Sequence, residues 1–352
     1  MLRSSVLSLT RPRLATAIAR HGFHSTAFAM APKVVATRVL PANAQARLEK
    51  ENFDLKQWKE DSSMPRETLL KEIQGAEGLI CLLSDKIDKD VLEAAGPSLK
   101  VVTTLSVGYD HIDLATAKKN NVQVGYTPDV LTDATADLTV LLTLAAARKM
   151  KQGIRAVEQG EWREWRPNWL CGYQFAGKTL GMVGMGRIGE AVARRLRAFG
   201  ISRTLYWGRR EKPELHEPLQ AEFASFDKLL TESDYIVACC AMTPETKEIF
   251  NYDAFKKMKR SAIFVNSARG GVVKQDDLIR ALDEDLLAGV GLDVTTPEPL
   301  PTNSALLKHD NCVILPHIGS ATIEAREVMG EMCIDNVLAG IQGKQLPFAL
   351  KH

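Results

Sequence analysis

One stretch constrains this chain more than any other. The apolar run Thr179–Val183 leads straight into Gly184-Met185-Gly186-Arg187-Ile188-Gly189, and Ile188, Val192, Leu196 and Phe199 then recur at helical spacing. A G-x-G-x-x-G pattern alone is weak evidence, but a strand before it and a helix after it are the context that gives it a mechanism. Gly184 permits the tight turn. Gly186 lets the backbone approach a pyrophosphate, with Arg187 and Ile188 beside it. Gly189 lets helix and strand pack closely, and the helix N-terminus faces the anion. The alternative, a glycine-rich turn without a ligand, does not require that flanking pattern.

The surrounding sequence alternates in the same way. Short apolar runs at residues 34–39, 78–83, 99–105 and 122–124 are bounded by turn residues and separated by helical stretches. Downstream, runs at 179–183, 204–207, 235–240, 262–266, 288–292 and 312–315 predict six further strands. Strands alternating with helices imply parallel sheets covered on both faces. The expected class is α/β, with two doubly wound parallel-sheet domains. Between them, Leu138, Leu141, Leu142 and Ala145 mark the apolar face of a long helix with Asp133 as N-cap. A last helix is predicted over 321–342, its buried face spaced by Met329, Cys333, Val337 and Ile341. Residues 160–173 differ in kind: Trp162, Trp165 and Trp169 stand among charges, in a segment either packed on the body or presented to a partner subunit.

The end of the strand at 204–207 bears on the cofactor. An NAD site usually places Asp or Glu there to bind the ribose hydroxyls. Here Tyr206-Trp207-Gly208-Arg209-Arg210 carries no acid before Glu211. Two arginines suit a 2′-phosphate, so NADP(H) is the expected cofactor. A solvated arginine pair on a surface turn is the competing explanation.

Three segments after the glycine motif carry candidate chemistry. Arg269 follows one apolar strand, Glu298 lies between Pro297 and Pro299 beyond the next, and His317 follows the third in Leu315-Pro316-His317-Ile318-Gly319-Ser320. In doubly wound folds, ligands bind at the carboxyl ends of the strands. Reduction of a 2-keto acid needs a cation for the carboxylate and ketone, a proton for the new alkoxide, and a hydride. Arg269 suits the first need by its planar fork of donors, and His317 suits the second. Glu298 suits support of the imidazole, since a carboxylate favours and orients the protonated ring.

Charge limits the partners. The formal net charge of +2 depends on Arg3, Arg11, Arg13 and Arg20, in a stretch of 32 residues without an acid. The rest of the chain has no basic excess, so nucleic acid is not an expected partner. The Arg- and Ser-rich start reads as a mitochondrial transit peptide, with a cytoplasmic protein beginning near Met30 as the alternative. No apolar run is long enough to cross a bilayer, and no membrane role is expected. The six cysteines form no C-x-x-C pair, so neither a disulfide framework nor a metal site is expected.

With Leu82-Leu83-Ser84-Asp85, Ser106-Val107-Gly108-Tyr109-Asp110-His111, Thr127-Pro128-Asp129-Val130-Leu131-Thr132-Asp133 and the segment around His317, the chain from about residue 33 onward resembles the D-isomer-specific 2-hydroxyacid dehydrogenase family. Within it, the glyoxylate/hydroxypyruvate reductases are the most similar. The resemblance implies a flavodoxin-like substrate domain (33–128 and 317–352), a Rossmann cofactor domain (129–316), and an active site in the cleft between them. It implies that Arg269, Glu298 and His317 are catalytic. Val107 and Gly108 would grip the substrate carboxylate, with Leu83 as a pocket wall and Ser320 beside the substrate. Arg209 and Arg210 would seat the 2′-phosphate, while Ala241, Ser267, Asp293 and Gly319 line the nicotinamide end. It also implies a homodimer in which Trp165, on an arm over 151–173, reaches the neighbouring subunit's site. Trp207 and Ala241 depart from the smaller or more polar residues expected at their positions. Phosphoglycerate dehydrogenases share the triad but favour an acid on the second strand. Formate dehydrogenases pair their histidine with Gln where Glu298 stands. A dinucleotide-sensing corepressor on this fold would carry longer flanking tails.

Overall fold

The computed structural model describes residues 30–350. The targeting segment expected over 1–32 lies, up to residue 29, outside the described residues.

Two parallel sheets organise the chain, which bears out the α/β expectation. The smaller contains β1 (Lys33–Ala36), β2 (Asp54–Gln57), β3 (Gly78–Cys81), β4 (Val101–Thr104) and β5 (Gln123–Gly125), in the order β2-β1-β3-β4-β5. That is the flavodoxin-like order. The larger contains β6 (Thr179–Val183), β7 (Arg203–Trp207), β8 (Ala221–Phe223), β9 (Tyr235–Ala238), β10 (Ile263–Asn266), β11 (Gly289–Leu292) and β12 (Cys312–Ile314). Its order, β12-β11-β10-β9-β6-β7-β8, embeds the dinucleotide-binding arrangement and adds β12 at one edge.

Strand burial explains the apolar runs. Neighbouring residues point to opposite faces, and both faces are covered. In the larger sheet Ile236 and Phe264 enter one core while Val237 and Val265 enter the other. In the smaller sheet Val35, Leu79 and Val102 face one way, and Val34, Ile80 and Val101 the other. Two strands depart from the sequence reading. The larger sheet has seven strands, not six, because β8 was not expected, and β2 was not expected in the smaller sheet. Both are edge strands, short and only partly buried, so they lack the continuous apolar signal.

The long helix spans Thr132–Ala147, with Leu131 rather than Asp133 at its N-cap. Asp133 lies in the first turn and pairs with Arg195 at 2.8 Å. Nor does it have the single expected face. Thr135, Ala136, Thr139, Val140, Leu142 and Thr143 are buried, while Leu141 is exposed, because the helix packs between β10, β11 and the helix Arg187–Ala198. On that second helix Val192 and Leu196 are fully buried, but Phe199, the proposed end of the stripe, is largely exposed just past the helix. The final helix, Ile323–Ile341, lies across β3, β4 and β5 with Met329, Cys333 and Val337 buried. Full burial of such side chains contributes roughly 1.5–3 kcal/mol each for the larger ones.

Candidate active site

The cofactor end is built at the carboxyl edge of β6. Gly184 adopts φ 98°, open to glycine at no steric cost, and a Cβ there would approach the Cys240 backbone to 2.6 Å. Gly186 caps the helix Arg187–Ala198 and faces open space, with nothing within 4 Å of where a Cβ would be. Gly189 lies against the Gly184 carbonyl. A narrow turn, an open cradle and a helix N-terminus fit a dinucleotide's phosphates. Arg187 stands at the loop but pairs with Asp129 at 2.6 Å, and Ile188 is half-buried against the core. Arg209 and Arg210 lie exposed just beyond β7 and make no ion pair among the described residues. Trp207 turns into the core against Phe226, ring centroids 5.4 Å apart, so its size is absorbed by packing. Ala241 is exposed past β9.

The candidate triad rises from three adjacent strands: Arg269 follows β10, Glu298 follows β11 and His317 follows β12. Glu298 Oε2 lies 2.8 Å from His317 Nδ1, and Glu298 Oε1 accepts from the Thr295 amide at 3.0 Å. Burial works against ionising Glu298. The bonds from His317 and Thr295, with Arg269 nearby, outweigh it and hold the carboxyl below the usual glutamate range. The carboxylate therefore accepts a hydrogen bond from Nδ1–H and leaves Nε2 as the free ring nitrogen. His317 itself sits at φ 55°, an unusual backbone state for a non-glycine residue. It is pinned there by Asp293. The Asp293 carbonyl accepts from the His317 amide, and its carboxylate accepts from Ile318 and Gly319, each at 2.8 Å. Burial pushes the Asp293 carboxyl up from its ordinary value despite those bonds. Ser320 is half-buried at the end of this turn.

The smaller sheet supplies the opposite wall. The segment after β4 runs through Val107 and Gly108, and the guanidinium of Arg269 lies directly against Gly108, where any Cβ would overlap Nη2. Only glycine fits. Arg269 Nε donates to Asp110 at 2.9 Å, and Nη1 donates to the Ala268 carbonyl at 2.8 Å. Leu83, past β3, is half-buried. Ser267 is the acceptor for Thr139 Oγ1 at 2.7 Å, which ties the strand end to the long helix. Trp165 is apart from all of these: it is 83% exposed, which rules out burial within its own subunit.

Several supporting residues had no role assigned from sequence. Asn266 donates to the Arg269 carbonyl at 2.9 Å and accepts from the Ala268 amide at 3.0 Å, shaping the turn that carries the arginine. Ser106 Oγ donates to the Gly108 carbonyl at 2.6 Å, and Thr104 Oγ1 lies 2.8 Å from Ser106 Oγ and 3.0 Å from His111 Nε2. Thr104 and Ser106 are buried polar groups on an apolar strand end, a pattern visible in the sequence but unspecific without a partner.

A parallel-sheet pair with a glycine cradle beside an Arg–Glu–His cluster defines a nicotinamide-dinucleotide oxidoreductase. Residues 140–319 match the model for the D-isomer specific 2-hydroxyacid dehydrogenase, NAD binding domain, and the chain belongs to that family. It is 49% identical over 320 residues to the glyoxylate reductase/hydroxypyruvate reductase of Homo sapiens, covering 91% of this chain and 98% of that one. Among solved structures, a glyoxylate reductase from Paecilomyes thermophila superposes with a TM-score of 0.80 at 30% identity, over 91% of this chain and 98% of that one. An NADPH-dependent glyoxylate/hydroxypyruvate reductase from Sinorhizobium meliloti, in complex with NADP and malonate, gives 0.77 at 27% identity, over 91% and 96%.

Proposed function

We propose that this chain reduces small 2-keto acids, glyoxylate to glycolate and hydroxypyruvate to D-glycerate, with NADPH as the reductant. The observation that carries this reading is a pair of side-chain nitrogens without a hydrogen-bond partner among the described residues, on adjoining strand ends: His317 Nε2, left open by Glu298, and Arg269 Nη2, left open by Asp110 and Ala268. Arg269 and the amides of Val107 and Gly108 hold the substrate carboxylate. His317 gives the Nε2 proton to the ketone oxygen as negative charge develops there, and Glu298 stabilises the ring while it is protonated. The bound nicotinamide supplies the hydride. Leu83 and Ser320 bound the substrate. Gly184, Gly186, Arg187, Ile188 and Gly189 take the pyrophosphate, and Ala241, Ser267, Asp293 and Gly319 the nicotinamide end.

Two exposed arginines, with no acid between the end of β7 and them, support NADPH over NADH, as does the NADPH dependence of the Sinorhizobium meliloti relative. The exposed Trp162 and Trp165, with Met150, Ile154 and Val157 on the preceding helix, support a homodimer in which Trp165 reaches the neighbouring site. The acid-free start supports a mitochondrial location, readable by cell fractionation and by the mass of the mature N-terminus. The deciding experiment is steady-state oxidation of NADPH and NADH with glyoxylate and hydroxypyruvate, on wild type and Arg209→Ala. NADPH turnover is expected, with KM for NADPH raised at least about tenfold in the variant, the scale of a lost charge-assisted pair, and KM for NADH little changed. Equal losses for both cofactors would refute the 2′-phosphate seat. NADPH binding without turnover of either keto acid would favour a dinucleotide sensor.

A further inference from the structure

We propose that Asp110 is the positioning residue for Arg269, aiming the one free end of its guanidinium at Gly108 from across the cleft. This rests on the keto-acid reading above. Arg269 belongs to the larger sheet and Asp110 to the loop after β4 of the smaller one, 159 residues apart in sequence. Their contact at 2.9 Å joins the two walls of the site. An arginine has five donors. Asp110 takes Nε, and the Ala268 carbonyl takes one proton of Nη1. Nη2 has no hydrogen-bond partner among the described residues, and it is the atom that lies against Gly108. The planar group has two fixed points, so its third corner is fixed as well. A carboxylate that reaches Nη2 meets a donor already oriented, with less entropy to lose on binding. Without Asp110, the guanidinium keeps only the Ala268 bond and can turn away.

Asp110 is itself built in. Burial opposes its charge, yet the Arg269 charge and hydrogen bond hold its carboxyl below the usual range. Its side chain is about one-third exposed, so it does not fill a core, and its neutral isostere Asn preserves volume.

The test is a double-mutant cycle on the full chain: Asp110→Asn, Arg269→Lys and the pair, with Asp110→Glu as the conservative variant. Two readouts are taken, KM and kcat for glyoxylate, and binding of oxalate to the NADPH-loaded protein by calorimetry. Asp110→Asn should raise KM and weaken oxalate at least about tenfold, change kcat by less than about threefold, and leave NADPH affinity unchanged. Asp110→Glu should recover part of the loss. In the Arg269→Lys background Asp110→Asn should add little, because the group it aims is absent. Additive losses, or unchanged oxalate affinity in Asp110→Asn, would overturn the positioning role. If wild type turned over no keto acid, the functional reading would fail instead, and the oxalate cycle would still decide the role of Asp110.

Discussion

His317 and His111 show how one residue type is put to opposite uses. His317 has a carboxylate on Nδ1 and an open Nε2. His111 is half-buried at the end of the loop after β4, with Nε2 against Thr104, and burial pulls its pKa from the ordinary 6.5 to about 4. Loss of the proton donor in His317→Ala should lower kcat by about 10²–10⁴, with cofactor affinity kept, as read by steady-state kinetics and fluorescence titration. A near-normal kcat would remove His317 from the chemistry. For His111 the effect is on stability. Between pH 6.5 and 4 the unfolded ring binds a proton that the folded ring refuses, so unfolding free energy falls as pH falls through that window. His111→Gln should flatten the slope of Tm against pH there. A slope identical to wild type would mean that His111 is not held neutral by the fold.

Elements of the smaller sheet are joined through one buried amide. Asn336, on the last helix, accepts from the Phe348 amide at 3.0 Å and donates to Thr103 at 3.3 Å, fully buried. Asn336→Ala strands the Phe348 amide and should cost about 1–3 kcal/mol in urea unfolding. A loss below about 0.5 kcal/mol would show that water replaces the side chain. Central strands were legible because Val34, Ile80 or Phe264 sit in runs buried on both faces. The edge strands β2 and β8 were not, since Asp54-Leu55-Lys56-Gln57 reads as surface. Leu141 was assigned inward by a rule for one-sided helices, but the helix Thr132–Ala147 packs on more than one side. The order of the strands put Arg269, Glu298 and His317 on neighbouring strand ends, which spacing alone can suggest. It could not suggest the Asp110–Arg269 contact, which depends on how two separate sheets meet.

Across the whole molecule, the site draws on both sheets, and the Trp-bearing arm, anchored beside β12 through Lys151 and Arg155, leaves Trp162 and Trp165 exposed. Trp165 is 83% exposed within its own subunit, so Trp165→Ala should leave the subunit's secondary structure unchanged by circular dichroism. In a homodimer with Trp165 in the neighbouring site, the same change should raise KM for glyoxylate severalfold. Kinetics with sedimentation analysis checks both, and an unchanged KM in an intact dimer would remove the arm from the site. The last helix, finally, begins six residues after His317 yet completes the other sheet, covering Val34, Ile80 and Val101. During synthesis the first-made sheet must therefore wait, one apolar face covered only in part by Ala44 and Leu48, until nearly the entire chain has left the ribosome. Release at residue 316 would yield a larger sheet with all of its strands beside a half-finished neighbour, a natural client for chaperones.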